Sequence, residues 1–357
     1  MGDWMSSNLK KREVVITKPI EQIEELYAEI PENAVITAEM QTLSTAKVKY
    51  VLTNDLTFER IRELNKSDVK PIKLDRKNKK LNNTKQKEKR IKCIDTVMAV
   101  VNIADFHLNR KVWGKAGYNK DYTVEIATEV FKDIIDETEK RLKASPYRIE
   151  KIILNTAGDF LNSDTIQGTT THGTPQDNDV SWQEAFKVAQ ELMSYALLKL
   201  SNIAPVYHYY VGGNHDQMSG WYLVSWLQAR FNGVANIHVD DNPKLRQMVN
   251  YGKNLILFAH GDNEGRRAMD LPLNDPDAKV MFSKATNVEV LVGHGHNNKV
   301  ESKNGIRLEM LNCACPVGDA WTYEMGFGNT RTEASILYYN KDDRVQCDII
   351  NTKKFVK

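Results

Sequence analysis

Cysteine is scarce in this chain, with four thiols among 357 residues. Cys313 and Cys315 are separated by one residue, too close for an ordinary bridge and outside the C-x-x-C spacing of zinc and redox sites. A disulfide framework is therefore excluded, and reduced thiols in a cytoplasmic protein are expected. No apolar run reaches membrane-spanning length. The N-terminal MGDWMSSNLKKREVV lacks an apolar signal core, so the sequence makes no case for secretion. A G-x-x-x-x-G-K-[ST] segment is missing too, which removes the P-loop route to phosphate chemistry. No Ser/His/Asp or Cys/His nucleophile arrangement stands out. Charge of one sign does not dominate either: the formal net charge of +2 names no partner.

What is present suffices for a large globular domain with an appendage. Apolar residues make up 41% of the chain, enough to bury a core. The basic excess sits in the first quarter, and the rest is mildly acidic. Residues 14–36 read as strand, helix, strand: VVIT, PIEQIEELYAEI with helical spacing, then AVIT. A short helix is expected over 58–64. Lys70–Lys92 is dense in lysine and asparagine and nearly free of large apolar groups, as a solvated linker would be. The same tract would also suit contact with phosphate backbones. The expected organisation is a small N-terminal α+β domain over 1–69, a basic linker over 70–92 and a catalytic domain over 93–357.

From Cys93 onward strands alternate with helices. Apolar runs at Thr96–Ile103, Lys151–Thr156, Val206–Val211, Leu255–Ala259 and Val288–Val292 have strand length. Tyr122–Leu142 and Trp182–Leu200 have helical periodicity. This pattern predicts an α/β fold, with a hairpin-rich end at Arg307–Leu311, Ser335–Tyr339 and Arg344–Ile349.

The five apolar runs end alike. They are followed in turn by Asp105-Phe106-His107, Gly158-Asp159, Gly213-Asn214-His215-Asp216, His260-Gly261-Asp262 and Gly293-His294-Gly295-His296. Ligands in open α/β sheets bind beyond the carboxyl ends of strands, so these tracts can converge. They hold five of the eight histidines. Imidazole, carboxylate and amide oxygen suit borderline divalent ions, and the number of ligands suits two ions better than one. Such a pair, about 3.5–4 Å apart, can clamp a phosphoryl group and lower the pKa of a water between the ions from about 15.7 towards about 7.

The series D-x-H, G-D, G-N-H-D, H, G-H-x-H resembles that of the calcineurin-like metallophosphoesterases, with no motif missing. The resemblance implies two stacked mixed β-sheets flanked by helices, a four-layer αββα sandwich, preceded here by a small N-terminal α+β extension. It implies one metal held by Asp105, His107 and His296, a second by Asn214, His260 and His294, and Asp159 bridging them. Manganese is the first expectation, with iron, zinc, nickel and magnesium as alternatives. His215 would face the phosphate and protonate the leaving oxygen, with Asp216 either orienting that imidazole or capping a turn. The D-x-H-L start and GNHD ending are also similar to the DNA exonuclease subunits that partner SMC-like ATPases. Those carry a histidine where this chain has Asn162, and GDFLNSD does not match the protein-phosphatase pattern.

Arg266, Arg267, Asn162 and His172 are further candidates for substrate contact. The polar Ser163–Asp179 segment is read as either a lid or a flexible loop. Trp221 and Trp226 are expected in a helix core, while Trp321, Tyr323 and Phe327 are candidate stacking surfaces. The two glycines before Asn214 are expected to let a metal approach the turn. The leading expectation is a two-metal phosphodiesterase acting on nucleic acid. The alternatives are a phosphatase or cyclic-nucleotide phosphodiesterase on a small substrate, and a non-catalytic nucleic-acid-binding scaffold. A protein partner for the N-terminal region is also expected.

Overall fold

The computed structural model describes residues 14–19, 34–41, 45–52, 95–115, 120–324, 326 and 331–356. The chain divides into two compact units, Met1–Lys89 and Arg90–Lys357. In the first, β1 (Val14–Pro19), β2 (Ala34–Gln41) and β3 (Thr45–Leu52) form an antiparallel sheet in the order β1-β3-β2. VVIT and AVIT thus lie in strands, and a third strand follows that the sequence reading did not anticipate. The expected helices at PIEQIEELYAEI and 58–64, and the basic tract over 70–92, lie outside the described residues.

The second unit alternates strand and helix as its periodicity predicts. β4 (Thr96–Asn102), β5 (Arg148–Asn155), β6 (Val206–Tyr209) and β7 (Ile237–Asp240) run parallel. The hairpin of β13 (Glu333–Tyr339) and β14 (Arg344–Asn351) adds antiparallel to β4, giving the order β14-β13-β4-β5-β6-β7. The second sheet has the order β11-β12-β10-β9-β8. Its strands are β8 (Gln247–Tyr251), β9 (Asn254–Ala259), β10 (Asn287–Val292), β11 (Lys299–Lys303) and β12 (Ile306–Met310). Its centre is parallel and its two edges are antiparallel.

The helices begin where side chains satisfy their first amides. Thr123 caps α1 (Val124–Ala144) and Ser181 caps α2 (Trp182–Ser201). α3 (Gln217–Arg230) starts directly after the GNHD tract. Trp226 of α3 packs against the core, and the half-buried Trp221 donates its indole N–H to the Asp241 carbonyl.

Three cores explain why the central strands read as unbroken apolar runs rather than alternating ones. Val97, Ala99 and Val101 of β4 face Phe131 and Ile134 of α1 and Leu192 and Leu197 of α2. The alternate residues Met98 and Val100 pack between the sheets against Ile256, Phe258 and Leu291. Leu255, Leu257 and Val290 then face outward onto Ala268, Met269 and Ala278. The last of these lies on α5 (Pro276–Phe282), which follows the single turn α4 (Leu271–Asn274). The result is two mixed sheets face to face with helices on both outer sides. Burial of each large apolar side chain contributes roughly 1.5–3 kcal/mol. The strand ends are consequently held firmly, and the site lies there.

Candidate metal centre

Five tracts converge at the carboxyl ends of β4, β5, β6, β9 and β10, and their backbone is unusual. Asp105, His107, Asp159, His294 and His296 all have positive φ, between 49° and 62°, as does Ala157 at 53°. A non-glycine residue in this region costs about 1–3 kcal/mol and persists only when its surroundings impose it. Here each strained residue turns a ligand side chain into one small volume, or, at Ala157, a carbonyl onto one.

The ligand atoms lie at the separations one ion would impose. Donors about 2.1 Å from a tetrahedral or octahedral ion stand roughly 3.0–3.4 Å from each other. His107 Nε2 is 3.2 Å from His296 Nε2, and His296 Nε2 is 3.5 Å from Asp105 Oδ1. On the other side, Asn214 Oδ1 is 3.0 Å from both His260 Nε2 and His294 Nδ1. His260 Nε2 is 3.1 Å from Asp159 Oδ2. Asp105, His107 and His296 form one group that could hold a metal, and Asp159, His260 and His294 form another. His107, Asp159 and His215 form a third between them.

Supporting contacts fix the donors. His260 Nδ1 lies 2.8 Å from the Ala157 carbonyl, which places its N–H there and turns Nε2 towards Asn214 and Asp159. Both oxygens of Asp105 accept from the His294 amide at 3.0 and 3.1 Å. The NCACPVG run passes beneath: Ala314 N–H donates to the Ala104 carbonyl at 2.7 Å, and the Cys313 thiol donates to the Asp105 carbonyl at 3.0 Å. Burial, then the Arg110 charge and the neighbouring imidazoles, hold His107 well below the usual imidazole value. Burial and the nearby His260 lower His294 as well. Neutral imidazoles are what a metal requires. The buried His107 Nδ1 has no hydrogen-bond partner among the described residues. The donor set therefore fits divalent metal binding.

The glycines before Asn214 serve neighbouring side chains, which corrects the expectation that they admit a metal. A Cβ on Gly213 would stand 2.1 Å from Asp159 Oδ1, and one on Gly212 would meet Leu245 at 2.5 Å and the Tyr210 hydroxyl at 2.6 Å. The turn is thin so that the carboxylate of Asp159 can lie against it.

His215 stands at the edge of both groups. Its amide donates to Asp159 Oδ1 at 2.7 Å, and its Nδ1 is 2.9 Å from the Asn162 carbonyl. Its ring is edge-on to His107, with centroids 4.6 Å apart. Asp216 does not orient this imidazole. Its buried carboxylate accepts from the amides of Asp159, Phe160 and Leu161 at 2.9, 2.7 and 3.1 Å. It holds the loop that carries Asp159, so the catalytic role expected for Asp216 is replaced by a positioning one.

The remaining candidates separate. Asn162 is buried, and its side-chain amide donates to the Asp177 carbonyl and Asn178 Oδ1, both at 3.1 Å. Its main-chain carbonyl also meets His215 Nδ1 at 2.9 Å. His172 is exposed at the tip of a turn whose neighbour Thr171 donates its amide to the Asn214 carbonyl at 2.9 Å. No hydrogen bond joins His172 to the ligand set among the described residues. The Ser163–Asp179 segment is tied at many points, through Asn178, Thr171 and the Thr169–Pro175 bridge, and so forms a fixed rim. Arg267 is exposed on the 3-10 turn Gly265–Asp270, and the Arg266 side chain lies outside the described residues. So do the side chain of Trp321 and all of Phe327, whereas Tyr323 is exposed. Sequence reading missed the carbonyls of Ala157 and Asn162 and the amide of Thr171. All are main-chain groups, to which residue type gives no clue.

No protein-family model matches the chain, and no curated protein matches it. Solved structures do overlap with it. One is described as a novel archaeal phosphodiesterase, 14% identical, covering 71% of this chain and 100% of its own, with a TM-score of 0.36. Another is a conserved uncharacterized protein, a predicted phosphoesterase, from Streptococcus pneumoniae, 10% identical over 72% of this chain and 90% of its own, with a TM-score of 0.31. A third is Vps29 from Entamoeba histolytica complexed with zinc, 13% identical over 71% and 99%, also at 0.31. The site itself is a cluster of histidines and aspartates at the strand ends of an α/β sandwich, and its groups could hold metal.

Proposed function

We propose that the chain is a two-metal phosphodiesterase whose first substrate class is nucleic acid. The observation that carries the two-metal reading is the adjacency of the ligand groups: Asp105, His107 and His296 on one side, Asn214, His260 and His294 on the other, with Asp159 between. When bound, the pair of ions would polarise phosphoryl oxygens and lower the pKa of a shared water towards about 7.

The chain's own residues supply the rest. Asp159 lies against Gly213 and is fixed by the His215 amide, which prevents its carboxylate from rotating away. The Asn162 carbonyl takes the Nδ1 proton of His215 in either charge state, so Nε2 is the nitrogen left to meet substrate. An imidazolium there can donate its Nε2 proton to the leaving oxygen as the ester bond breaks. The tied Ser163–Asp179 rim holds Asn214 from behind through Thr171. The basic Lys70–Lys92 tract and the similarity of the DFHL and GNHD motifs to DNA exonucleases support nucleic acid over a small ester.

The test is manganese-dependent hydrolysis of labelled single- and double-stranded DNA, bis-p-nitrophenyl phosphate and p-nitrophenyl phosphate, each with a chelator control. His215→Ala is expected to lower kcat by about 10²–10⁴-fold with metal content unchanged. Turnover of only the small esters would replace nucleic acid by a nucleotide or small phosphodiester. Metal binding without any turnover would favour a scaffold.

A further inference from the structure

A cavity of about 370 Å³ lies behind His215, outside the ligand cluster. Its walls come from Leu108–Asn109 after β4, the 161–166 segment after β5, the first turn of α2 and the first turns of α3. That volume is in the range of sites that enclose small organic molecules. We propose that this cavity binds an uncharged, hydrocarbon-rich small molecule, and that its occupancy is transmitted to His215.

The wall chemistry selects the ligand. Most polar side chains deep in its wall are already engaged with the protein: Asn109 with the main chain of Asp179 and Val180, Ser163 with Asn178, and Thr165 with Thr169. Asp164 accepts from the amides of Met218 and Ser219 and from the hydroxyls of Ser219 and Thr171. Among the buried side-chain atoms of the wall, only Asn162 Oδ1 lacks a partner, and the Trp182 and Tyr222 polar atoms belong to exposed residues at the mouth. A sugar or a phosphate, with several polar groups each, would lose most of its hydration there without replacement. Phe186 and Ala185 offer only dispersion contacts. Around the same cavity stand Ile166, Trp182, Met218 and Tyr222, which are 72%, 50%, 50% and 52% exposed. Four large apolar side chains exposed together around one opening differ from the isolated exposed residues normal on a soluble surface.

Coupling follows from shared segments. Asn162 lines the cavity, and its carbonyl holds His215 Nδ1. Asp164 fixes the amides of Met218 and Ser219, the first turn after His215–Asp216. Leu108 and Asn109 follow the ligand His107 directly. A ligand that displaces these segments even slightly would change the setting of the His215 ring. Only this catalytic consequence rests on the hydrolase reading; the binding claim does not.

The probe is N-phenylnaphthylamine, a neutral apolar dye, titrated by fluorescence into the full chain. Wild type is expected to bind one dye saturably. Ala185→Phe fills the cavity from α2 and is expected to bind at least about tenfold more weakly, while His215→Ala binds as wild type does. Trp182→Ala, at the exposed mouth, is expected to weaken binding several-fold and decides the matter if Ala185→Phe does not fold. Absence of saturable binding, or equal affinity in wild type and both cavity variants, would overturn the site. For the coupling, the ring resonance of His215 should shift on dye saturation while that of His238 stays still, and the rate on bis-p-nitrophenyl phosphate should change at least about twofold. Saturation with neither change overturns the coupling. A dye-free enzyme with no hydrolysis is a failure of the hydrolase reading, and the titration and the resonance still decide the proposal.

Discussion

At the carboxyl ends of the parallel strands, aspartates and histidines sit at positive φ and turn their ligand atoms towards one another. At the opposite ends polar and charged side chains close into complete pairs on ordinary backbone. Glu150, at the start of β5, accepts from the Tyr251 hydroxyl at 2.6 Å and meets Lys341 at 3.1 Å. Lys253 meets Asp342 at 2.7 Å, and Asn254 donates to the Asn340 carbonyl at 2.7 Å. Of the eight non-glycine residues at positive φ among the described residues, only Asn304, in a hairpin turn, lies away from the ligand-bearing strand ends. Strain and unsatisfied donors at one end, with satisfied groups at the other, mark the functional end independently of any motif. The three well-packed cores make this asymmetry stable.

The sharpest way to break the comparison is to remove the space that the strained end depends on. Gly213→Ala would drive a methyl group into Asp159, and a displacement of that carboxylate by an ångström is expected to cost about 10²-fold or more in hydrolysis. Metal content should fall in parallel. Retained metal and activity would show that the turn yields easily and that the packing is not what holds the site.

Proton competition gives the next effect. Burial pulls the His260 imidazole down, but the Asp159 carboxylate against it lifts it from 6.5 to about 10. Below about 10 a metal must displace a proton, so affinity should rise by about tenfold per pH unit up to that value, with proton release on binding. Calorimetry with manganese in buffers of different ionisation enthalpy measures both. A pH-independent affinity would mean that His260 is not a ligand.

Asp216→Ala should be felt in stability as well as rate. It leaves three buried amides without their acceptor, for a cost of about 1.5–3 kcal/mol, read as a lower thermal midpoint. Activity should drop through the misplaced Asp159 loop, and metal content should fall with it. Loss of activity with metal content unchanged would restore Asp216 as the partner of the imidazole. The smallest effect belongs to the opposite end. Tyr251→Phe removes the hydroxyl bond to Glu150 and should cost about 0.5–1.5 kcal/mol with hydrolysis unchanged.

Much of the second unit is legible in sequence because its central strands are buried on both faces and its two long helices are capped and amphipathic. β7, β8 and β11 escaped because they are short or lie at edges. All five residues of β11 are exposed, so no apolar pattern marks it. The residues that cluster as candidate ligands were legible as polar groups beside glycine after apolar runs. The role of Asp216 was not, because a carboxylate next to a histidine in sequence gives no indication that it faces a loop 55 residues away. The contact of the Asn162 carbonyl with His215 was hidden for a related reason, because a main-chain group leaves no mark in residue type.

By itself, the sequence determined which chemical groups stand at the strand ends and in what order, because strand periodicity and residue type are local properties. Only the tertiary structure decided which of those groups meet. Distances of 3.0–3.5 Å between residues up to 191 positions apart arise from the stacking of two sheets and from main-chain carbonyls whose direction no side chain encodes.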